Sequence, residues 1–317
     1  MSIVFGPIPS RRLGRSLGVN NIPPKICSYS CVYCQIGLTN SMSIERKEFY
    51  SPDDILKEVS EKVNQLRNAN EVIDYLTFVP DGEPTLDINL GRTIKFLKSL
   101  GIRIAVITNS SLLWDENVRE ELMNADWVSV KIDTVDEKIW HKIDRPNGKL
   151  DFQKIISGIK TFSSSFKGVM VTETMLVKGI NDNVQSIKST SELIKQLNPD
   201  KAYILVPTRP PAEKFVEPPS AENLNISYQI FALNITAVEL LTGSEGTDFS
   251  FSSDAEKELL SILSVHPMSK DAVEKFLIRA STKWDLINEL IDKNILKEVQ
   301  YSGSTFFVKN IKSYVSS

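Results

Sequence analysis

Cysteine and histidine are scarce in this 317-residue chain, with three and two copies respectively. The odd number of cysteines argues against a framework of paired disulfides, and no signal peptide is expected at the start of the sequence. A structural zinc site needs four ligands, so three cysteines would have to recruit a histidine. Because His141 and His266 lie far along the chain from the cysteines, the sequence gives little support to zinc.

The sequence also lacks an apolar run long enough to cross a bilayer, an internal repeat and a low-complexity tract. Its net charge of −3 creates no global field that would draw the protein to nucleic acid or to a membrane. A composition of 41% hydrophobic and 24% charged residues is typical of a globular protein. Together with unpaired thiols, these features predict a cytoplasmic protein that has no membrane partner.

All three cysteines fall within eight residues, as Cys27, Cys31 and Cys34 in a CxxxCxxC spacing. Thiolates are the ligands that iron–sulfur clusters prefer, and a [4Fe–4S] cube normally takes four of them. Because no fourth cysteine exists, one iron of such a cube would keep an open position for a cofactor or a substrate. We therefore predict that these three cysteines are metal ligands.

Strand-like apolar runs alternate with amphipathic helical stretches, from a first strand near 17–21 to a sixth at 202–206. One such helix is expected at 52–68, because Ser51 suits an N-cap and apolar residues recur on one face. This alternation predicts an α/β fold with a parallel sheet and right-handed crossovers. Six units favour a partial (β/α)₆ barrel, with a doubly wound open sheet as the alternative.

Chemically interesting residues follow the predicted strands at their carboxyl ends, where ligands gather in such barrels. The cysteine loop follows the first strand, and the later strands are followed by Asp81-Gly82-Glu83-Pro84-Thr85, Asn109 and Ser110, Lys131 and Asp133, Lys178, and Arg209.

The CxxxCxxC spacing together with Gly82-Glu83-Pro84 resembles the radical S-adenosylmethionine (SAM) superfamily. The resemblance implies a [4Fe–4S] cluster whose open iron binds SAM, and reductive cleavage of SAM to a 5′-deoxyadenosyl radical. It also implies an external electron donor of the flavodoxin or ferredoxin type. The residues that it places near SAM are Tyr33, Gly82, Glu83, Pro84, Thr85, Asn109, Ser110, Lys131 and Asp133.

A narrower resemblance rests on residues 6–18, on 81–86 and on Arg145-Pro146. These segments look like a largely uncharacterised group of single-cluster relatives of the radical SAM enzyme of tRNA wyosine biosynthesis. That enzyme carries a second iron–sulfur cluster on further cysteines, and this cluster binds pyruvate. Because the present chain has no further cysteine, the resemblance does not extend to the pyruvate reaction.

Five cationic residues are candidates for contact with a substrate. Arginine forks suit phosphate and carboxylate groups, although acidic neighbours within the protein would satisfy them equally well. The expected substrate is an RNA base or a protein side chain. The candidates are Arg11, Arg12, Arg15, Lys178 and Arg209.

Two domains are expected. Residues 1–245 would form the barrel, with an N-terminal extension and a proline-rich segment after the sixth strand that either crosses the barrel mouth or serves as a linker. Residues 246–317 would form a winged-helix-like domain, because three helices precede a β-hairpin. The expected recognition helix at 281–293 carries more acidic than basic residues, which disfavours DNA binding. An iron–sulfur redox sensor that binds DNA remains the alternative function.

Overall fold

A computed structural model describes residues 3–242, 254–264 and 266–310. The strands in this part are β1 (Val4–Ser10), β2 (Gly14–Val19), β3 (Ile26–Cys27), β4 (Ser41–Met42), β5 (Tyr75–Phe78), β6 (Arg103–Thr108), β7 (Trp127–Lys131), β8 (Val169–Met175), β9 (Lys201–Leu205), β10 (Val238–Leu241), β11 (Met268–Ser269), β12 (Leu296–Tyr301) and β13 (Ser304–Lys309).

The helices of the same part are α1 (Pro52–Asn68), α2 (Leu90–Leu97), α3 (Glu116–Leu122), α4 (Glu137–Ile143), α5 (Phe152–Ser165), α6 (Val184–Leu197), α7 (Ala221–Asn234), α8 (Ala255–Leu263), α9 (Lys270–Arg279) and α10 (Asp285–Asp292). The predicted bounds of α1 are confirmed, and the Ser51 hydroxyl caps it by accepting from the backbone N–H of Asp54 (3.1 Å). None of the described helices is long and apolar enough to span a membrane.

One eight-stranded sheet organises residues 3–242, in the order β1-β2-β5-β6-β7-β8-β9-β10. Every pair from β2 to β10 is parallel, as the strand–helix alternation predicts. The antiparallel edge strand β1 was not expected, because Gly6, Pro7 and Pro9 hide its strand pattern. Proline has no backbone N–H to donate. An edge strand tolerates it, because such a strand pairs with a neighbour on one side only.

The two faces of the sheet bury different apolar clusters. Leu76, Val106 and Val128 face the helices and belong to the largest cluster. On the opposite face, side chains from β5 to β10 meet in a single cluster that includes Trp127 and Tyr203. The sheet is therefore buried on both faces, as expected for a parallel α/β fold, and the partial barrel stays a prediction.

The C-terminal elements form a three-stranded antiparallel sheet in the order β11-β13-β12, together with α8, α9 and α10. The expected three helices and hairpin are present, although α10 is shorter than the predicted helix at 281–293. The winged-helix-like assignment stays a prediction. The expected boundary between residues 245 and 246 lies outside the described residues.

The C-terminal elements pack directly on β1. Phe5 and Ile8 of β1 belong to the same buried apolar cluster as Phe276 and Phe307. An ion pair between Lys62 of α1 and Glu258 of α8 (2.7 Å) adds to this interface. The edge strand is therefore part of both halves of the molecule.

A buried carboxylate behind β5 predicts how stability depends on pH. Burial raises the pKa of Asp87 to about 6, although the N–H groups of Asn89 and Asn21 oppose the shift. Because the folded state holds this proton more tightly than the unfolded chain, the free energy of unfolding should fall as pH rises through about 6.

We expect urea unfolding at pH 5 and pH 7.5 to show a smaller fall in the free energy of unfolding for Asp87→Asn than for the unchanged protein. Asp53→Asn, at an exposed aspartate, is the matched control, and equal falls in all three proteins would contradict the assignment.

Candidate functional site

The three cysteines are half-buried and free on the loop that begins at β3, just beyond the carboxyl end of β2. Backbone contacts seat this loop on the end of α4. The N–H of Ser30 donates to the carbonyl of Asp144 (3.0 Å), and that of Val32 donates to the carbonyl of Ile143 (2.9 Å). The thiols are therefore presented from a backbone that is already held in place.

The backbone of Gly82 lies close to the start of the cysteine loop. It forms an isolated parallel bridge with Ile26, the residue before Cys27. A Cβ atom at position 82 would lie 2.0 Å from the Ile26 carbonyl oxygen, far inside van der Waals contact. Only glycine allows the two strand ends to meet in this way.

The carboxylate of Glu83 is occupied by hydrogen bonds from neighbouring groups of the protein. It accepts from the hydroxyls of Thr85 (2.6 Å) and Thr108 (2.7 Å) and from the backbone N–H of Asn109 (2.7 Å). It also caps the short 3₁₀ turn Pro84–Leu86. Glu83 thus ties the carboxyl end of β5 to that of β6, and the groups that remain for a cofactor here are backbone atoms.

Asn109 and Ser110 have different surroundings. The amide nitrogen of Asn109 lies 2.9 Å from the Ser28 hydroxyl and 3.5 Å from the Cys27 sulfur, so this side chain faces the cysteine loop. The buried hydroxyl of Ser110 accepts from the backbone N–H of Lys131 (2.8 Å) and joins β6 to β7. Of the two, Asn109 is the one whose side chain faces the cysteine loop, and contact of either residue with SAM stays a prediction.

A buried polar cluster lies beneath Cys31. The hydroxyl of Tyr33 donates to Asp133 and lies 3.0 Å from the carboxyl group of Asp144, which is also 3.3 Å from the Cys31 sulfur. Burial and the neighbouring Asp133 raise the pKa of Asp144 well above its ordinary value. Sequence reasoning missed Asp144, because only the folded chain brings it to Tyr33.

Lys131 adds a positive charge to this cluster. Its ammonium lies over the Tyr33 ring, 4.6 Å from the centroid. Burial alone would lower the pKa of Lys131, but Asp133 and Glu173 raise it above the ordinary value. The side chain therefore stays protonated and places a fixed cation close to Cys31.

The thiols themselves are held neutral by their surroundings. Burial and the nearby Glu83 raise the pKa of Cys27 to about 12, and burial also raises the pKa values of Cys31 and Cys34. Metal binding requires thiolates, so loading this site must release protons.

The cysteines suit a cluster better than a single ion. Among the described residues, no three His, Cys, Asp or Glu side chains surround one ion. A zinc ion would need all of its ligands within about 2.0–2.3 Å of one centre. In an iron–sulfur cube, by contrast, each cysteine binds a different iron, so three separated sulfurs on one loop fit that group.

The N-terminal arginines are separated from this site. The turn with Arg11 and Arg12, and Arg15 at the start of β2, lie at the amino end of that strand, opposite to the cysteines. Arg12 pairs with the buried Glu173, and Arg15 pairs with Glu71 (2.7 Å). The structure thus gives Arg12 and Arg15 acidic partners within the protein.

Lys178 and Arg209 lie at the carboxyl ends of β8 and β9. Lys178 is exposed and forms an ion pair with Glu217 (2.6 Å). Arg209 reaches the cysteine loop, where it donates to the Gln35 side chain (2.8 Å).

The proline-rich segment 207–219, called the strap below, packs along the cysteine loop. The backbone N–H of Glu213 donates to the carbonyl of Val32 (3.0 Å). Val216 is buried in one cluster with Val32 and Tyr33. Of the two expectations for this segment, the structure favours one that crosses the mouth over a simple linker.

Replacing Gly82 tests the close approach of the two strand ends. We expect Gly82→Ala to lower the free energy of unfolding by about 1–3 kcal/mol, because the added methyl group overlaps the Ile26 carbonyl. Iron uptake on anaerobic reconstitution should fall as well, as measured by iron analysis and visible absorbance. Gly148→Ala is the matched control, since a Cβ there meets nothing within 4 Å. Equal stability and iron content in the two variants would contradict this account of the site.

Comparison with known proteins adds independent findings. The model of the radical SAM superfamily matches residues 21–190. The UPF0026 protein MJ1312 of Methanocaldococcus jannaschii is 48% identical over 315 residues, which covers 99% of this chain and 98% of that protein.

Solved structures resemble the chain more distantly. A radical SAM methyltransferase from Sphaerobacter thermophilus has a TM-score of 0.55 at 15% identity, covering 73% of this chain and 67% of that one. This match supports the fold alone. A structure of TYW1 with a lysine-pyruvate adduct covers 94% of this chain and 80% of that one at 14% identity, but its TM-score of 0.47 is too low to carry an argument.

Proposed function

Because the chain belongs to the radical SAM superfamily, whose members use a [4Fe–4S] cluster and SAM, we propose that Cys27, Cys31 and Cys34 hold such a cluster with one open iron. One observation carries this proposal. All three cysteines lie on a loop whose start, at Ile26, pairs with the Gly82 backbone at the carboxyl edge of a parallel sheet. The chain is an enzyme.

When bound, the cluster and SAM supply reductive cleavage of the sulfonium to methionine and a 5′-deoxyadenosyl radical. The protein's own residues hold and orient these groups. Gly82 lets backbone approach the cofactor, and Asn109 offers an amide beside Cys27. Lys131 places a cation near Cys31, which favours anionic groups there.

The remaining contacts keep this site rigid. Glu83 fixes the ends of β5 and β6, and Tyr33 is held by Asp133 and Asp144. A site fixed in advance loses little free energy to rearrangement when the reaction begins. Tyr33 and Asp133 thus act in positioning, while their direct contact with SAM stays a prediction.

We propose a flavodoxin or ferredoxin as the external electron donor and an RNA base or a protein side chain as the substrate. The C-terminal elements support a macromolecular substrate, because they pack on β1 and reach the strap beside the cysteine loop. The likeness to the wyosine enzyme is compatible with RNA, but the chain lacks the cysteines for a second cluster.

A DNA-binding redox sensor is not favoured. The expected recognition helix α10 begins and ends with aspartate, and Lys293 just beyond it pairs with Glu289 (3.2 Å). A helix that reads a DNA groove is usually basic, since neutralising phosphates supplies most of the non-specific affinity.

Cleavage of SAM tests the proposal. After anaerobic reconstitution and reduction with dithionite, we expect the protein to form 5′-deoxyadenosine from SAM, as detected by liquid chromatography. Cys31→Ala should lose both the cluster absorbance and the product. Ser30→Ala, a change one residue away that removes no thiol, should retain both. A fully reconstituted protein that never cleaves SAM, with or without cell extract, would refute the proposal.

The class of substrate can be tested separately. Product formation should rise when cell extract is added, because hydrogen abstraction from a substrate makes cleavage effectively irreversible. If the substrate is RNA, ribonuclease treatment of the extract should abolish the rise and protease should not. The opposite pattern would identify a protein substrate. A rise that survives both treatments and passes a small-pore filter would contradict a macromolecular substrate.

A further inference from the structure

The strap is held from two sides. On one side it contacts the cysteine loop through Arg209 and Gln35, and Gln35 directly follows Cys34. On the other side, Arg209 lies 3.0 Å from Nε2 of His266, which precedes β11 in the C-terminal elements. The strap therefore connects the residue after the third cysteine to the C-terminal half of the molecule.

The contact between Arg209 and His266 fixes the form of the histidine ring. A guanidinium can only donate, so Nε2 of His266 must accept and the ring proton lies on Nδ1. Arg209 thus donates through Nη1 to Gln35 and through Nη2 to His266. Its planar fork holds the two acceptors in a fixed relative position.

A second contact reaches the same strap. The hydroxyl of Tyr301, at the end of β12, donates to the carbonyl of Pro207 (3.1 Å), two residues before Arg209. The strap is thus held at Pro207 and at Arg209 by the C-terminal elements. It is held at Arg209 and Glu213 by the cysteine loop.

The C-terminal elements can act as a fixed support, because they are themselves anchored. Phe5 and Ile8 of β1 are buried in their apolar cluster. Burying these two apolar side chains stabilises the interface, because it removes their surfaces from water. The guanidinium of Arg279 adds an ion pair with Glu71, which also pairs with Arg15.

We propose that Gln35, Arg209 and His266 form a positioning bridge through which the C-terminal elements hold the cysteine loop in its cluster-binding conformation. The function of this bridge rests on the proposed cluster. The geometry of the bridge rests only on the contacts of the strap. On this account the C-terminal elements are a structural part of the active site, in addition to any role in substrate docking.

Two single variants and their combination test the bridge. We expect Gln35→Ala and His266→Ala each to speed iron release from the reconstituted protein to the chelator bipyridyl by about 5- to 30-fold, the effect of losing one or two hydrogen bonds. Because both variants break one bridge, the double variant should release iron no faster than the more affected single variant.

Matched controls separate positioning from general damage. His141→Ala removes the other histidine, which is exposed on α4, and Gln185→Ala removes an exposed glutamine on α6. Both should release iron at the unchanged rate. Gln35→Glu keeps an acceptor for Arg209 and should restore slow release. Tyr301→Phe removes only the second strap contact and should give a smaller effect than His266→Ala.

Hydrogen exchange of the metal-free protein gives a second readout that does not depend on the cluster. In this loop the N–H of Cys34 donates to the carbonyl of Cys31 (3.1 Å), and that of Gly37 donates to the carbonyl of Cys34 (3.1 Å). These amides should exchange faster in Gln35→Ala and in His266→Ala than in the controls. Exchange within α9 should stay unchanged, which shows that the C-terminal fold is intact.

The outcomes distinguish the two proposals. If the unchanged protein takes up no cluster, the proposed function fails, and the exchange data alone decide on the bridge. If the cluster forms but iron release and loop exchange in Gln35→Ala and His266→Ala equal those of the controls, the bridge is refuted. Strictly additive effects of the two variants would also refute it, because they would act independently.

Discussion

The close backbone contact between Ile26 and the Gly82–Glu83 pair is the constraint on which the rest of the site depends. The Glu83 N–H donates to the Ile26 carbonyl (3.1 Å), and a side chain at position 82 would block this approach. The contact brings the first cysteine to the carboxyl end of β5. The Glu83 carboxylate then extends the same connection to β6, so the cysteine loop and the carboxyl ends of β5 and β6 are tied together.

Electrostatics complement this backbone frame. The polar residues beneath Cys31 are buried, and each has a partner: Tyr33 hydrogen-bonds to the carboxyl groups of Asp133 and Asp144, and Lys131 places a positive charge beside them. Such a network is costly when only partly satisfied, so it specifies one arrangement of the loop. The strap contacts the same loop and connects it to the C-terminal elements. Rigidity at the cysteines therefore comes from both halves of the chain.

Local patterns were sufficient for much of this structure. The strand–helix alternation and the Ser51 cap of α1 are short-range signals, and each predicted its element well. Strand β1 was missed, because glycine and proline mask an edge strand. Asp144 and the partners of Arg12 and Glu83 were missed for a different reason. They depend on residues far apart in sequence, and a single sequence does not reveal which buried polar groups meet.

The central claim is that three cysteines leave one iron of a [4Fe–4S] cluster open to SAM. Electron paramagnetic resonance of the reduced, reconstituted protein tests this claim most directly when spectra are recorded with and without SAM. Binding at the open iron should change the signal of the cluster, and the methionine moiety of SAM alone should not reproduce the full change. A cluster signal that is identical with and without saturating SAM would contradict the account.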